Sequence, residues 1–377
     1  MRNTYLPFGK PNFGPEEEAA VLRVLRSGWI GMGPETLKFE EELADHLQVP
    51  HVVTVSSCTA ALFLSLLVSG VGQGDEVIVP SLTWCSTANA ALYLGAKPVF
   101  CDLDPQTFCV TPQEILAKIT PRTKAVIPVH YGGYPVDVEE IRKVLPREVV
   151  IVEDAAHAFG SRYFDGKRVG ASGNLVCFSF YANKNLSTGE GGAIALFGQT
   201  EADRLRSLRQ HGMPTHAWNR FVNPKGMVVP SICEVGYKMN YTDLQAALGR
   251  VQLARQPEFS QIRLGIAREY LSGLSEMGIQ FQSGLDRSFH ARHLIPVVFE
   301  EKHDRDAILG SLRERNIGAS IHYAPLHRMP IYGHGDPLSL PQTDRIATKI
   351  LTLPVSASMS PDDTRDVVRN VREVLGV

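Results

Sequence analysis

Between residues 50 and 200 the chain repeats one rhythm: a short β-branched apolar run, a turn, and a stretch with helical periodicity. The runs are EVIVP (76–80), PVFCDL (98–103), AVIPVHY (125–131), VVIVED (149–154), LVCFSF (175–180) and AIALF (193–197). Several are apolar at successive positions, the pattern of strands covered by helices on both faces. Helical periodicity falls ahead of them at 59–69 and between them at 84–94, 112–119 and 137–144. This alternation predicts an α/β fold with an open, mostly parallel sheet. Past Gly212 the texture changes. A loop-rich stretch (213–232) with Pro214, Pro224 and Pro230 leads into TDLQAALGRVQLARQPEF and a long amphipathic run to Met277. Beyond it come HLIPVVF (293–299), a helix near 304–315 and a terminal helix from Pro361. The expected division is a large domain over 1–240 and a smaller C-terminal α+β domain over 241–377, with the first residues packing on the small domain.

Composition narrows the function classes. A formal net charge of −2 over 377 residues, with no dense Lys/Arg run, argues against nucleic acid or an anionic membrane as a partner. The apolar stretch around TAALFLSLLVSGVG is shorter than the roughly 18–20 residues that span a bilayer. MRNTYLPFGKPNFG lacks the apolar core of a signal peptide, so a cytoplasmic location is expected. The six cysteines are scattered without CxxC pairing and read as core residues, with no metal site expected. GVGQGDE (70–76) precedes a strand and lacks GxGxxG spacing, so it is no dinucleotide fingerprint.

Four segments carry candidate chemistry, because ligands of open α/β sheets bind at the carboxyl ends of the strands. Lys184 is the one charged residue between Val169 and Gly189, just past a strand and ahead of a glycine-rich turn. A loop lysine is ordinarily solvated; the alternative is an amine kept in a pocket. VVIVEDAAHAFG ends a strand on Glu153-Asp154, an acid that can cap a helix, bind a metal or pair with a ligand cation. Ser56, Ser57 and Thr59 precede an apolar helix, as caps or as a phosphate nest. Trp84 follows a strand end, as a core residue or as a stacking surface for a planar ring. A phosphate nest, a flat surface, an acid and an amine together are what pyridoxal phosphate requires. In that reading Asp154 faces the pyridinium nitrogen, and Lys184 forms the Schiff base and moves protons.

The chain also resembles a known family nearly end to end. LPFGKP, SGWIGMGP, SSCTAAL, PSLTWCSTANA, PVHYGGYPVD, VEDAAHAFG, FSFYANKNLSTGEGGA, RQHGM, GYKMNYTDLQAALG and HYAPLH are similar to landmarks of the DegT/StrS-type sugar aminotransferases. These are pyridoxal-phosphate enzymes of the aspartate aminotransferase fold. The resemblance implies Lys184 as the Schiff-base lysine and Asp154 as the acid on the pyridine nitrogen. It implies His157 near the phenolic oxygen and Trp84 on the ring face. It implies phosphate contacts from Cys58 and Thr59 through backbone amides, from Ser179, and from Asn240 given by the other subunit of a homodimer. Where the family usually has Asn-Gly, this chain has Ser57-Cys58; a larger side chain there is expected to tighten the nest, and binding is expected to survive because the implied contact is through backbone amides. Dehydratases of the family carry histidine at the lysine position, so Lys184 favours amino transfer over dehydration. The expected reaction moves an amino group from L-glutamate, with glutamine as the alternative donor, to the keto carbon of a nucleotide-linked sugar, at C4. A 3-keto sugar or a keto-inositol is the alternative acceptor. A non-catalytic regulator on the same fold would need an added DNA- or partner-binding module, and the enzyme pattern fills the chain.

Overall fold

The computed structural model describes residues 2–213, 232, 234–333 and 338–376. Two N-terminal helices, α1 (Pro15–Ser27) and α2 (Pro34–Leu47), lead into β1 (His51–Val55) and α3 (Cys58–Val68). Then come β2 (Glu76–Pro80), α4 (Cys85–Leu92), β3 (Lys97–Cys101), α5 (Pro112–Leu116), β4 (Thr123–Val126) and α6 (Val138–Val144). The large unit continues with β5 (Val150–Asp154), β6 (Leu175–Ser179), β7 (Gly192–Leu196) and α7 (Gln199–Leu208). After it follow α8 (Asp243–Ala254), α9 (Gln256–Leu274), β8 (Ile279–Phe281), β9 (Ile295–Phe299), α10 (Arg305–Glu314), α11 (Pro341–Lys349), β10 (Ile350–Leu353) and α12 (Pro361–Val374).

The large sheet has seven strands in the order β1-β7-β6-β5-β4-β2-β3. Pairings β2–β3, β2–β4, β4–β5 and β5–β6 are parallel, and β7 runs antiparallel to both β1 and β6. A parallel partner requires a long crossover, whereas a strand that returns from the same edge must be antiparallel. The segment 180–191 joins β6 to β7 at that edge, so β7 alone is reversed, and Lys184 sits in the connection.

The runs read from the sequence all form strands, with two adjustments. The strand expected over 125–131 ends at Val126, because Pro128 has no N–H for the ladder; Val129 keeps only an isolated bridge to Asp154. The strand HVVTV (51–55) escapes the apolar pattern because Thr54 interrupts it. Thr54 is buried and donates to Glu40 Oε1 at 2.6 Å.

Alternation along the strands feeds two cores. Val52, Ile78, Ile151 and Phe178 pack with Phe39 and Leu43 of α2 and Leu253 of α8 on one face. Val53, Val77, Val152 and Cys177 pack with Leu62 and Leu64 of α3, Ala91 of α4 and Leu205 of α7 on the other. Each fully buried leucine contributes about 1.5–3 kcal/mol. A three-stranded antiparallel sheet, β10-β9-β8, forms a third core with α9, α10 and α12, and Leu6 joins it beside Ile317. The units are tied together. Ser81, just past β2, accepts the Leu326 N–H on its carbonyl (2.9 Å), and its hydroxyl lies 2.6 Å from His327 Nδ1. Asp102, just past β3, accepts the N–H groups of Gln342 (2.9 Å) and Thr343 (2.8 Å) at the start of α11. Among the described residues no helix is long and apolar enough to cross a membrane.

Candidate active site

A cleft of about 450 Å³ opens at the carboxyl edge of the large sheet, lined by Cys58, Thr59, Trp84, Asp154, His157, Ser179 and Lys184 among others. They arrive from several elements. Helix α3 is apolar all round and lies buried against the sheet, which brings its first turn to the strand ends. Ser57 caps it, accepting the Ala60 N–H at 3.1 Å. Cys58 and Thr59 follow in the first turn, where N–H groups have no intrahelical acceptor and the helix dipole favours an anion. Gly192 permits this approach: a Cβ there would meet the Ser57 carbonyl carbon at 2.5 Å and the Cys58 nitrogen at 2.7 Å.

Asp154 ends β5 with its carboxylate buried. Thr87 Oγ1 donates to its Oδ2 at 2.8 Å and the Ala156 N–H to its Oδ1 at 3.1 Å. Burial pushes the Asp154 pKa up, and these bonds together with the Lys184 charge oppose the rise. The Cys58 thiol packs between the ends of β5 and β6, with Sγ 3.6 Å from the Cys177 carbonyl oxygen and 4.0 Å from Asp154 Oδ1. The bulk introduced by Ser57-Cys58 is therefore absorbed beside the acid. Burial pushes that thiol well up, and Asp154 adds to the effect.

Lys184 is partly buried, and burial brings its pKa down to about 8, with Cys58 and Asp154 acting against the shift. His157 is buried; it accepts the Gly132 N–H on Nδ1 at 3.3 Å, which leaves Nε2–H to face the Tyr323 hydroxyl at 3.1 Å. Burial, and then the Lys184 charge, hold it well below the ordinary histidine value. Trp84 is 61% exposed, so it is a surface of the cleft and not a core residue. Ser179 Oγ accepts the Tyr181 N–H at 3.4 Å.

Asn240 is not brought into this cleft; its amide donates to the Tyr241 carbonyl at 3.1 Å. Residues 214–231 and Cys233 lie outside the described residues. Three side chains of the site were not anticipated from sequence. Thr87 orients Asp154, Tyr323 meets His157, and His293 lies 3.3 Å from the Lys184 amine. A larger hollow of about 660 Å³, lined by Arg23, His46 and Arg250, contains none of the predicted residues.

These residues fit pyridoxal phosphate. They provide a helix N-terminus for a phosphate, an enclosed carboxylate for a cationic ring nitrogen, an exposed indole and an amine of depressed pKa. Comparison with known proteins agrees. Residues 11–372 match the DegT/DnrJ/EryC1/StrS aminotransferase family. The chain is 41% identical to the spore coat polysaccharide biosynthesis protein SpsC of Bacillus subtilis, covering 99% of this chain and 98% of that protein. Among solved structures, the aminotransferase TlmJ of Streptoalloteichus hindustanus superposes with a TM-score of 0.91 at 38% identity, over 99% of both chains. Spr1654 of Streptococcus pneumoniae in its PLP form superposes with a TM-score of 0.90 at 31% identity, over 99% of both chains. The chain belongs to the DegT/DnrJ/EryC1/StrS aminotransferase family, whose members depend on pyridoxal phosphate.

Proposed function

We propose that this aminotransferase moves the amino group of L-glutamate to the keto carbon of a nucleotide-linked sugar, at C4. The observation that carries the reading is the Lys184 amine, held in the cleft with Asp154 and the first turn of α3. A sugar acceptor is supported by the likeness to a polysaccharide biosynthesis protein. The C4 position is supported by SGWIGMGP, PSLTWCSTANA and GYKMNYTDLQAALG, which resemble the C4-aminating branch.

When bound, pyridoxal phosphate supplies an electron sink for the carbon that bears the amino group. The protein's own groups do the rest. Asp154, as a carboxylate, would balance a cationic ring nitrogen. The N–H groups of Cys58 and Thr59 and the Ser179 hydroxyl would hold the phosphate, and Trp84 would cover one face of the ring and exclude water. His157 would sit beside the phenolic oxygen. Lys184, with a pKa of about 8, is a neutral amine in a useful fraction of molecules near neutral pH, so Nζ can take a proton and return it. We further propose a cytoplasmic homodimer in which Asn240 serves the partner's phosphate site. Its place outside its own cleft supports this.

The test is the absorption spectrum of wild type and Lys184→Ala with pyridoxal phosphate, before and after L-glutamate. A lysine-bound band that bleaches with glutamate in wild type, and is missing in the variant, is the expected result. Mass spectrometry then follows nitrogen into a panel of 4-keto and 3-keto nucleotide sugars and keto-inositols. Amination of only the latter two overturns the C4 assignment. A band unmoved by glutamate overturns the donor.

A further inference from the structure

The Lys184 amine has a partner whose protonation can be read from the bonds behind it. Asn185 Nδ2 donates to the carbonyl oxygens of Ala291 (2.9 Å) and Phe159 (3.2 Å). With its nitrogen committed, the amide turns Oδ1 toward His293, and that oxygen lies 3.3 Å from His293 Nδ1. A carbonyl oxygen only accepts, so Nδ1 carries the hydrogen. His293 is 3% exposed. Burial, and then the charges of Lys184 and its other neighbours, hold it well below the ordinary histidine value. A neutral ring with its hydrogen on Nδ1 has its lone pair on Nε2, and Nε2 lies 3.3 Å from Lys184 Nζ.

We propose that His293 is a positioning residue for Lys184: Nε2 accepts one Nζ–H bond and fixes how the rest of the amine faces the cleft, a role that rests on Lys184 being the cofactor-binding lysine. A lysine on its four-carbon stem carries about 2 kcal/mol of rotamer entropy. A rigid acceptor removes much of that freedom before reaction. The neutrality of the acceptor matters equally. A carboxylate at this point would favour the ammonium and raise its pKa, whereas an imidazole lone pair orients the amine and leaves it able to lose a proton. The other groups acting on Lys184 are Cys58 and Asp154. Those acting on His293, besides Lys184, are His157, Arg263 and His322. The ring of His157 lies beside that of His293, with centroids 4.6 Å apart.

The experiment is competitive acetylation of the cofactor-free full chain across pH, read at Lys184 by mass spectrometry. His293→Leu removes the acceptor and should lower the Lys184 pKa by about one unit, as expected for loss of a hydrogen bond to a charged group. His293→Gln offers a neutral acceptor and should keep the wild-type value. In the loaded enzyme His293→Leu should lower kcat by ~100-fold, the scale of a misplaced reacting group, with partial recovery in His293→Gln. An unchanged Lys184 pKa in a folded His293→Leu protein overturns the proposal, as does an equal fall in both variants. Independently of any variant's folding, 15N-histidine spectra of the wild type should show one neutral Nδ1–H ring in contact with Lys184. An Nε2–H ring or an imidazolium there overturns it as well. Wild type that labels as expected but never takes up pyridoxal phosphate overturns the functional reading, a result distinct from all of these.

Discussion

Thr87 donates to Asp154 Oδ2 at 2.8 Å, so the acid at the end of β5 is aimed from α4 and not from its own strand. The chain of hydroxyls has a direction. Because Thr87 spends its hydrogen on the carboxylate, its contact with Thr83 Oγ1 at 3.0 Å is one in which Thr83 donates. Thr87→Val keeps the shape and removes the donor. A hydrogen bond to a charged group contributes about 1.5–3 kcal/mol. The variant should therefore bind pyridoxal phosphate at least ~10-fold more weakly while Thr87→Ser binds nearly as wild type, measured by equilibrium titration of cofactor fluorescence.

Lys184 gives a pH signature to the cofactor-free protein. Its folded-state pKa is about 8 against an ordinary 10.5, lowered first by burial. Below pH 8 both folded and unfolded chains hold the proton, and the folded state bears the full cost of the enclosed charge. Between 8 and 10.5 the unfolded chain binds more protons, so stability rises with pH. Wild type should gain up to about 3 kcal/mol relative to Lys184→Met over that interval. Urea unfolding of both proteins at pH 7.5 and, as far as the fold permits, toward pH 10 checks this. A constant gap contradicts it.

Glu153, next to Asp154 but on the opposite face of β5, anchors a closed polar network. It is fully buried and accepts from His130 Nε2 (2.8 Å), Tyr163 (2.6 Å), Asn174 (2.8 Å) and Ser172. His130 Nδ1 accepts the Val136 N–H at 2.9 Å, so Nε2 carries the hydrogen. Burial alone would push the Glu153 carboxyl up, but these donors, His130 first, hold it below the usual range. Glu153→Leu leaves two buried donors, His130 and Tyr163, unpaired and should cost ~3–5 kcal/mol near neutral pH, seen as a lower urea midpoint at unchanged slope. The network's contribution is present above the ordinary carboxylate pKa and is lost as pH falls through the lower folded value. The deficit of the variant should therefore shrink in acid.

Gly192→Ala tests the nest. The added carbon would meet backbone at 2.5 and 2.7 Å, and backbone at Ser57 and Cys58 cannot swing aside as a side chain can. Overpacking of this kind costs about 1–3 kcal/mol. Because the displaced atoms belong to the first turn of α3, affinity for pyridoxal phosphate should fall further than affinity for pyridoxal, which lacks the phosphate. Equal losses for both ligands would place the damage elsewhere.

Much of this was legible in the sequence, for reasons that can be stated residue by residue. EVIVP and LVCFSF announce buried strands because apolar side chains are needed on both faces of a covered sheet. Asp154 and Lys184 stand out because the one ends such a strand and the other follows one. HVVTV hid because Thr54 depends on Glu40, a partner outside any local pattern. The reversal of β7 depends on which edge the 180–191 connection stays on, and hydrophobicity does not encode that. Ser57, Asp154 and Trp84 each had more than one reading, and their burial and partners in the folded chain separate them. His293 opens an apolar run 109 residues beyond Lys184, and its tautomer is set by an amide whose own orientation depends on two distant carbonyls.

The ties at Ser81 and Asp102 carry a mechanical consequence. The chain that brings His322 and Tyr323 to the cleft is fastened to the end of β2 through Leu326 and His327, and α11 to the end of β3. The roof of the cleft is thus bolted to its floor. Prising the two units apart would strip buried groups at the carboxyl ends of the neighbouring strands β2 and β3. At the mouth of the cleft Trp84 and Tyr181 stand exposed, and neither takes part in these ties.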